Sequence, residues 1–320
     1  MIDFVKVVIT SALYKWSYFY EYLNNNKVNV DTKADHNGVL IKEVFEMDNT
    51  LKFILRYNED NTIKRIEMQA SLHKYFAYGY NYSDYTYKQL CRTVFTLCNT
   101  YRINPLRATI QNIEAGFNVM PPLETNNLLD GLLMYRTIPF STMKNSFRTP
   151  VGIEATLTAY VLKAYNKAGQ LLRGGKDIGK ECFRYELHYN RMRTINKETG
   201  IYCLADLYDY PKINKFSNLV LDSLNHLVYF DSEMSGKDLT LQESKLCTVW
   251  SNQKELRLLA KENPQKYRRE RIRFKALQSS KGLNVLEQLE DSIRLKRNKL
   301  LTMDRTTANE VNYYKTQIAK

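Results

Sequence analysis

Polar and apolar positions alternate along several short stretches of the chain, a pattern typical of β-strands that bury one side. The clearest stretch is 63–70, where Arg65, Glu67 and Gln69 lie on the polar side and apolar residues separate them. We expect these polar sides to form the wet face of a sheet. The same alternation, or a run of β-branched and aromatic residues, predicts strands over 1–9, 39–47, 51–56, 63–70, 110–119, 156–167 and 182–189.

Helical periodicity replaces the alternation elsewhere. Apolar residues recur at steps of three and four over 87–101, and Asn104-Pro105 ends this helix. The order of elements predicts the α+β class, with a central antiparallel sheet, helices packed on one face of it, and a helical basic carboxyl-terminal region. Further helices are predicted over 126–135, over 253–276 with an interruption at Pro264, and over 283–300.

Composition narrows the class of protein. Hydrophobic residues make up 44% of the 320 positions, so the chain can bury a substantial core. No apolar run approaches the ~20 residues that a membrane-spanning helix needs, so we expect no membrane partner. The five cysteines show no Cys-x-x-Cys spacing, which favours a reducing cytosol and argues against structural zinc. We divide the chain into a domain over 1–200 and a helical region over 201–320.

Positive charge is concentrated near the carboxyl end. The chain carries 47 Lys and Arg against 34 Asp and Glu, a net charge of +13. Residues 251–300 hold 14 of these cations and 6 of the acids, more than half of the excess. Such a surface suits a polyanion, most simply nucleic acid, although a solvated helix surface has the same pattern. The predicted DNA contacts in this region are Lys266, Arg268, Arg269, Arg271, Arg273 and Lys275.

Three predicted strands each carry a glutamate on the polar side, namely Glu67, Glu114 and Glu186. A fourth carries Lys163, Tyr165 and Lys167. If these strands are neighbours, the clustered carboxylates repel each other unless a cation neutralises them, and Mg²⁺ or Mn²⁺ suits oxygen ligands. A phenol beside lysines and a metal could then act as a nucleophile. A sheet with one wet face produces the same alternation without any site.

An ordered set of short motifs resembles the gene II family of phage and plasmid rolling-circle replication initiators. The set covers about residues 1–200 and begins with Met1-Ile2-Asp3. An amphipathic helix follows Gly79-Tyr80-Asn81, and Asn112-Ile113-Glu114 replaces the family's Arg-Ile-Asp. The other matching segments are Glu67-Met68-Gln69-Ala70-Ser71-Leu72-His73-Lys74, Ala164-Tyr165-Asn166-Lys167 and Arg184-Tyr185-Glu186.

The resemblance implies a site-specific DNA nickase and ligase. Tyr165 would attack one origin phosphodiester and stay linked to the 5′ phosphate, with Lys167 as its charge partner and Arg184 clamping the scissile phosphate. The implied metal ligands are Glu114, Glu186 and, as a weaker third, Glu67, and the metal is Mg²⁺ or Mn²⁺. Lys163 and Lys74 are further expected DNA contacts.

The same resemblance suggests the cellular setting. The expected partners are double-stranded origin DNA, single-stranded DNA, and a host helicase and polymerase in the cytoplasm of a bacterial cell. A homodimer remains open.

Two other functions fit parts of the sequence. A non-enzymatic DNA-binding regulator explains the charge but leaves the glutamates unexplained. A metal-dependent endonuclease that uses water would not need Tyr165. A tyrosine recombinase fits less well, because its catalytic domain is mainly helical and Tyr165 lies in a predicted strand.

Overall fold

The computed structural model describes residues 1–9, 16–48, 50–144 and 149–318. The chain belongs to the α+β class, as predicted, with a large antiparallel sheet and a helical carboxyl-terminal region. It divides into two compact units, each built from separated segments. The first unit comprises Met1–Gly116, His188–Asn218 and Asn298–Lys320, and the second comprises Phe117–Leu187 and Leu219–Arg297.

The described strands are numbered in chain order. They are β1 Ile2–Ile9, β2 Asn29–Ala34, β3 Leu40–Asp48, β4 Leu51–Tyr57, β5 Ile63–Ser71, β6 Ala108–Val119, β7 Leu132–Tyr135, β8 Ile138–Pro139, β9 Ser141–Lys144, β10 Pro150–Thr156, β11 Tyr160–Asn166, β12 Phe183–Tyr189 and β13 Leu227–Tyr229. Ten of them form a sheet in the order β2-β3-β4-β5-β1-β6-β12-β11-β10-β9, and β13-β7-β8 form a smaller one.

The described helices are numbered in the same way. They are α1 Trp16–Asn26, α2 Leu72–Phe76, α3 Tyr87–Thr100, α4 Thr125–Gly131, α5 Lys167–Arg173, α6 Arg193–Thr199, α7 Tyr210–Leu224, α8 Leu241–Trp250, α9 Gln253–Glu262, α10 Pro264–Ser280, α11 Val285–Leu300 and α12 Arg305–Ile318. None of the helices in this described part of the chain is both long and apolar enough to cross a membrane.

The first strand lies inside the sheet of the first unit. Strand β1 pairs antiparallel with β5 on one side and β6 on the other. Its apolar side chains Ile2, Val5 and Val7 are fully buried, which explains why so short an apolar segment is a strand. Phe4 pairs with Ser71 of β5 and with Glu114 of β6, so Asp3 lies close to both of these positions.

Local signals account for the elements that the pattern predicted correctly. The turn between β4 and β5 closes through Asn58 N–H, which donates to Thr62 O at 2.9 Å, and Asn61 adopts a left-handed φ of 59°. Helix α3 begins at a capping box formed by Thr86 and Gln89. Pro264 ends α9 and begins α10, because proline fits the first turn of a helix but not its interior.

Two predicted elements were wrong in their bounds. The predicted strand over 156–167 is a hairpin: β10 ends at Thr156, β11 begins at Tyr160, and Leu157 N–H donates to Tyr160 O at 2.9 Å. The helix predicted over 126–135 ends at Gly131, and the next four residues form β7, which pairs with β13. This pairing joins residues about ninety positions apart, so local periodicity does not reveal it.

The second unit has an aromatic core beneath its basic helices. Trp250 at the end of α8 is fully buried and stacks on Tyr267 and Phe274 of α10, with ring centres 5.6 and 5.1 Å away. Leu256 of α9 and Leu277 of α10 belong to the same cluster. The helices α8, α9 and α10 therefore share one apolar core, and the charged residues of α10 lie on its opposite side.

Candidate functional site

The structure brings the predicted nucleophile and one predicted carboxylate into contact. The Tyr165 hydroxyl on β11 donates a hydrogen bond to Glu186 Oε2 on β12 at 3.3 Å. Both side chains are buried, with exposed fractions of 6% and 3%. The expectation that this side of the sheet faces water is therefore wrong for these two residues. A hydrogen bond between two buried groups is electrostatically stronger than one between groups in water.

Two cations bind the same carboxylate. Lys163 Nζ lies 3.3 Å from Glu186 Oε1, and the Arg184 guanidinium binds Oε2. Arg184 also donates from Nη1 to Asn118 Oδ1 at 3.1 Å. The strand period explains this arrangement, because residues two apart on a strand share a face: Lys163 with Tyr165, and Arg184 with Glu186. The buried charges of Arg184 and Glu186 are thus paired, which offsets the free-energy cost of removing them from water.

Lys167 reaches the tyrosine from a different element than predicted. It does not continue the strand face of Lys163 and Tyr165 but is the first residue of α5, and this corrects the sequence interpretation. The Asn166 side chain accepts a hydrogen bond from Gly169 N–H at 2.7 Å and so caps the helix. Lys167 Nζ lies 5.9 Å from the centre of the Tyr165 ring and donates to Gln170 Oε1 at 2.8 Å. The cation is therefore near the phenol, over its ring face.

A histidine contacts the second predicted carboxylate. His188 Nδ1 lies 3.1 Å from Glu114 Oε2. Because His188 follows Glu186 by two residues on β12, their side chains lie on one face of the strand. Each of Asp3, Glu114 and Glu186 offers a carboxylate oxygen, and these oxygens lie within 4.8 Å of one another.

Asp3 belongs to the same group of carboxylates, and its role was not predicted from the sequence. Its Oδ2 accepts a hydrogen bond from Asn81 Nδ2 at 2.6 Å, and its Oδ1 accepts one from the Ser71 hydroxyl at 3.3 Å. The three residues come from three of the quoted motifs: Met-Ile-Asp, Ala-Ser and Gly-x-Asn. The available signal was an acid at position 3, the one acidic residue of a mostly apolar central strand.

The three carboxylates fit a hard divalent cation. Three oxygen donors from separate strands match the ligands that Mg²⁺ and Mn²⁺ prefer. Like charges this close repel each other, and a divalent ion would neutralise them. Lys163 and Arg184 already offset part of the charge at Glu186. The candidate metal ligands are therefore Asp3, Glu114 and Glu186.

The remaining predicted ligand, Glu67, lies among cations. Its Oε2 is 2.8 Å from Lys6 Nζ, and its Oε1 is 3.1 Å from Nε of both Arg56 and Arg65. Burial raises the pKa of this carboxyl, but hydrogen bonds and charges from its basic neighbours outweigh burial and hold the pKa below its usual range. Glu67 therefore acts as the counter-ion of a basic group, and it is not among the three clustered carboxylates.

Of the predicted DNA contacts, Lys163 binds Glu186, and the others fall on two surfaces. Lys74 lies on α2 and is half-buried, beside a cleft of the first unit. The other group lies along α10 in the second unit, where Lys266 approaches Glu270 at 3.9 Å. Exposed cations there are Lys266, Arg268, Arg269, Arg273 and Lys275, and Arg271 is half-buried.

Comparison with known proteins does not assign the chain to a family. It matches no family model and no curated protein sequence.

Proposed function

We propose that the chain is a metal-dependent DNA strand transferase that initiates rolling-circle replication by nicking one strand of an origin and later rejoining it. The observation that carries the proposal is the hydrogen bond from the Tyr165 hydroxyl to Glu186, within a group of cations. The ordered motifs quoted above place Tyr165 and Glu186 at functional positions of the replication-initiator family, which supports the same conclusion.

Tyr165 would attack the phosphorus of one phosphodiester. A free phenol has a pKa of about 10, so attack at neutral pH requires help in removing its proton. Glu186 already accepts that proton in a hydrogen bond and can act as the general base. The nearby cations Lys163 and Lys167 favour the phenolate. The phenolic oxygen bonds to phosphorus, the bond to the 3′ oxygen breaks, and that oxygen takes up a proton.

The products explain rejoining without an energy source. One phosphodiester is exchanged for another, a 5′-phosphotyrosine, and the liberated 3′ hydroxyl can later attack it in reverse. Positioning of the phosphate must enforce in-line geometry, which is the main requirement of phosphoryl transfer. Arg184, beside Glu186, is the candidate for orienting the phosphate.

Asp3, Glu114 and Glu186 would hold Mg²⁺ or Mn²⁺ beside the reacting phosphate. Such an ion supplies Lewis-acid stabilisation of the charge that develops on phosphate and on the leaving oxygen.

The partners follow from the same proposal. Double-stranded origin DNA would bind the exposed cations of α10, and single-stranded DNA would reach Tyr165. In the cytoplasm of a bacterial cell, a host helicase would unwind the duplex and a host polymerase would extend the 3′ hydroxyl. The net charge of +13 supports a polyanionic partner.

The test is a covalent adduct. A random 40-nucleotide single-stranded DNA library with a 3′ fluorescent label is incubated with the protein and Mn²⁺, boiled in detergent and separated on a gel. The label should migrate with the wild-type protein, because the phosphotyrosine retains the 3′ fragment, and should be lost on metal chelation. Mass spectrometry of the adduct should assign the nucleotide to Tyr165.

Two variants make the test specific. Tyr165→Phe should give no adduct, whereas Tyr160→Phe should keep it, because the Tyr160 hydroxyl bonds to that of Tyr135 at 2.8 Å. Cleavage without an adduct that persists in Tyr165→Phe would establish water as the nucleophile and overturn the proposal. Binding without any cleavage would instead favour the regulator.

A further inference from the structure

Tyr78 has a backbone conformation and an exposure that are unusual for a tyrosine. It follows α2 and adopts a left-handed φ of 53°, and its side chain is 94% exposed. Gly79 N–H donates to Lys74 O at 2.8 Å across this turn. Tyr78 therefore occupies the position just after a helix where glycine is favoured, because a glycine has no Cβ to clash.

Folding does not account for a tyrosine at this position. A positive φ is unfavourable for a bulky residue, and an almost fully exposed ring contributes little packing. A glycine would satisfy the turn without that strain. Strained backbone conformations persist mainly at functional sites, where a particular side chain is required at that position. The left-handed conformation of Tyr78 therefore suggests that its side chain has a function.

A cleft adjoins the tyrosine. It has a volume of about 830 Å³ and is lined by Lys74, Tyr75, Tyr78 and Arg92 among others. Two cations thus face one acid in the lining, Asp48, whose Oδ1 accepts hydrogen bonds from Thr50 N–H and hydroxyl at 2.6 Å. The cleft is therefore suited to an anionic ligand that also carries flat rings.

We propose that Tyr78 and this cleft bind single-stranded DNA, with one base stacked on the Tyr78 ring and with Lys74 and Arg92 contacting the flanking phosphates. Aromatic rings beside cations are the usual means of holding a single strand without reading its sequence. The inference rests on the proposed function for its choice of ligand. A short segment of the chain links Tyr78 and Gly79 to Asn81, which bonds to Asp3, one of the candidate metal ligands.

The experiment compares two probes. A fluorescent 20-nucleotide oligo(dT) offers bases and phosphates, and an abasic strand of equal length offers phosphates alone. Tyr78→Gly should weaken oligo(dT) binding by at least about fivefold, the lower end for loss of one stacked base. It should leave binding of the abasic strand unchanged. Arg92→Ala should weaken binding of both probes, because it removes a phosphate contact.

A stability measurement separates binding from folding. Tyr78→Gly should keep the wild-type melting temperature or raise it, since it relieves a left-handed tyrosine. Tyr202→Ala, at another exposed tyrosine, should leave both probes unaffected. A lower melting temperature for Tyr78→Gly would assign the residue a structural role and overturn the inference, as would equal losses on the two probes. Adduct formation without any Tyr78 effect would refute this inference alone, and base-dependent binding without an adduct would refute only the nicking proposal.

Discussion

Replacing Glu67 by glutamine tests whether this carboxylate is structural. The substitution keeps the shape of the side chain and removes its charge, so Lys6, Arg56 and Arg65 lose their common counter-ion. We expect the variant to be less stable but to form the covalent DNA adduct like the wild type. Glu186→Gln should abolish the adduct instead, because it removes the base from Tyr165.

The magnitude follows from the burial of the partners. Breaking a fully buried ion pair costs about 3–5 kcal/mol, but an exposed pair contributes only about 0–1 kcal/mol. Glu67 is buried, whereas the side chains of Lys6, Arg56 and Arg65 are 26%, 45% and 41% exposed and keep part of their hydration. The loss should therefore lie between these limits, at about 1–3 kcal/mol.

The loss of stability in Glu67→Gln should depend on pH in a defined direction. The pKa of Glu67 is lowered in the folded protein, so its stabilising contribution is complete above the unfolded pKa of about 4.3 and is lost as the pH falls through the folded value. The difference in free energy of unfolding between wild type and Glu67→Gln, measured by urea denaturation, should be constant from neutral pH down to about 5 and shrink below about 4. An unchanged stability at neutral pH, or loss of the adduct with stability retained, would contradict the structural assignment.

Two further predictions concern the second unit. Arg268→Ala and Arg269→Ala on α10 should each weaken binding to a random 30-base-pair duplex and should each lower the slope of log affinity against log salt concentration by about one. Lys52→Ala on β4 is the control and should change neither the affinity nor the slope. An unaltered slope in both arginine variants would exclude α10 as a DNA surface. Trp250→Ala should cost about 3–5 kcal/mol in urea denaturation because the ring is fully buried. Trp250→Phe should cost much less, since the buried indole N–H has no hydrogen-bond partner among the described residues, and equal losses in the two variants would refute this account.

Much of the fold could be predicted from local pattern. Period-two alternation found β5 and β12 almost to the residue, and three-and-four spacing found α3, because each of these elements buries one side. Prediction failed where a distant partner decided the outcome. Leu132–Tyr135 looked like the end of a Leu-rich helix and became a strand because β13 pairs with it. Helix α1 and strand β2 were also missed, and α12 was covered only by the general prediction of a helical region over 201–320.

The candidate site was predicted in part. Tyr165 and Glu186 were both identified, and the structure places them in contact. Asp3 was not, because a single acid in an apolar strand has no periodicity to mark it. Its role becomes visible only where Asn81 and Ser71 approach it from segments about seventy to eighty residues away.

The side chains that contact the three predicted glutamates distinguish them better than their positions on the strand faces do. Alternation placed Glu67, Glu114 and Glu186 on polar sides of strands and so treated them alike, although all three are largely buried. Glu67 is surrounded by cations that hold it as a permanent anion, which suits a counter-ion. Glu186 also has cations but accepts a hydrogen bond from the Tyr165 phenol, and Glu114 contacts the His188 imidazole. A carboxylate that accepts a hydrogen bond from a phenol can act as a general base, whereas one held only by cations chiefly stabilises the fold, so Glu186 is the candidate base under the proposed function.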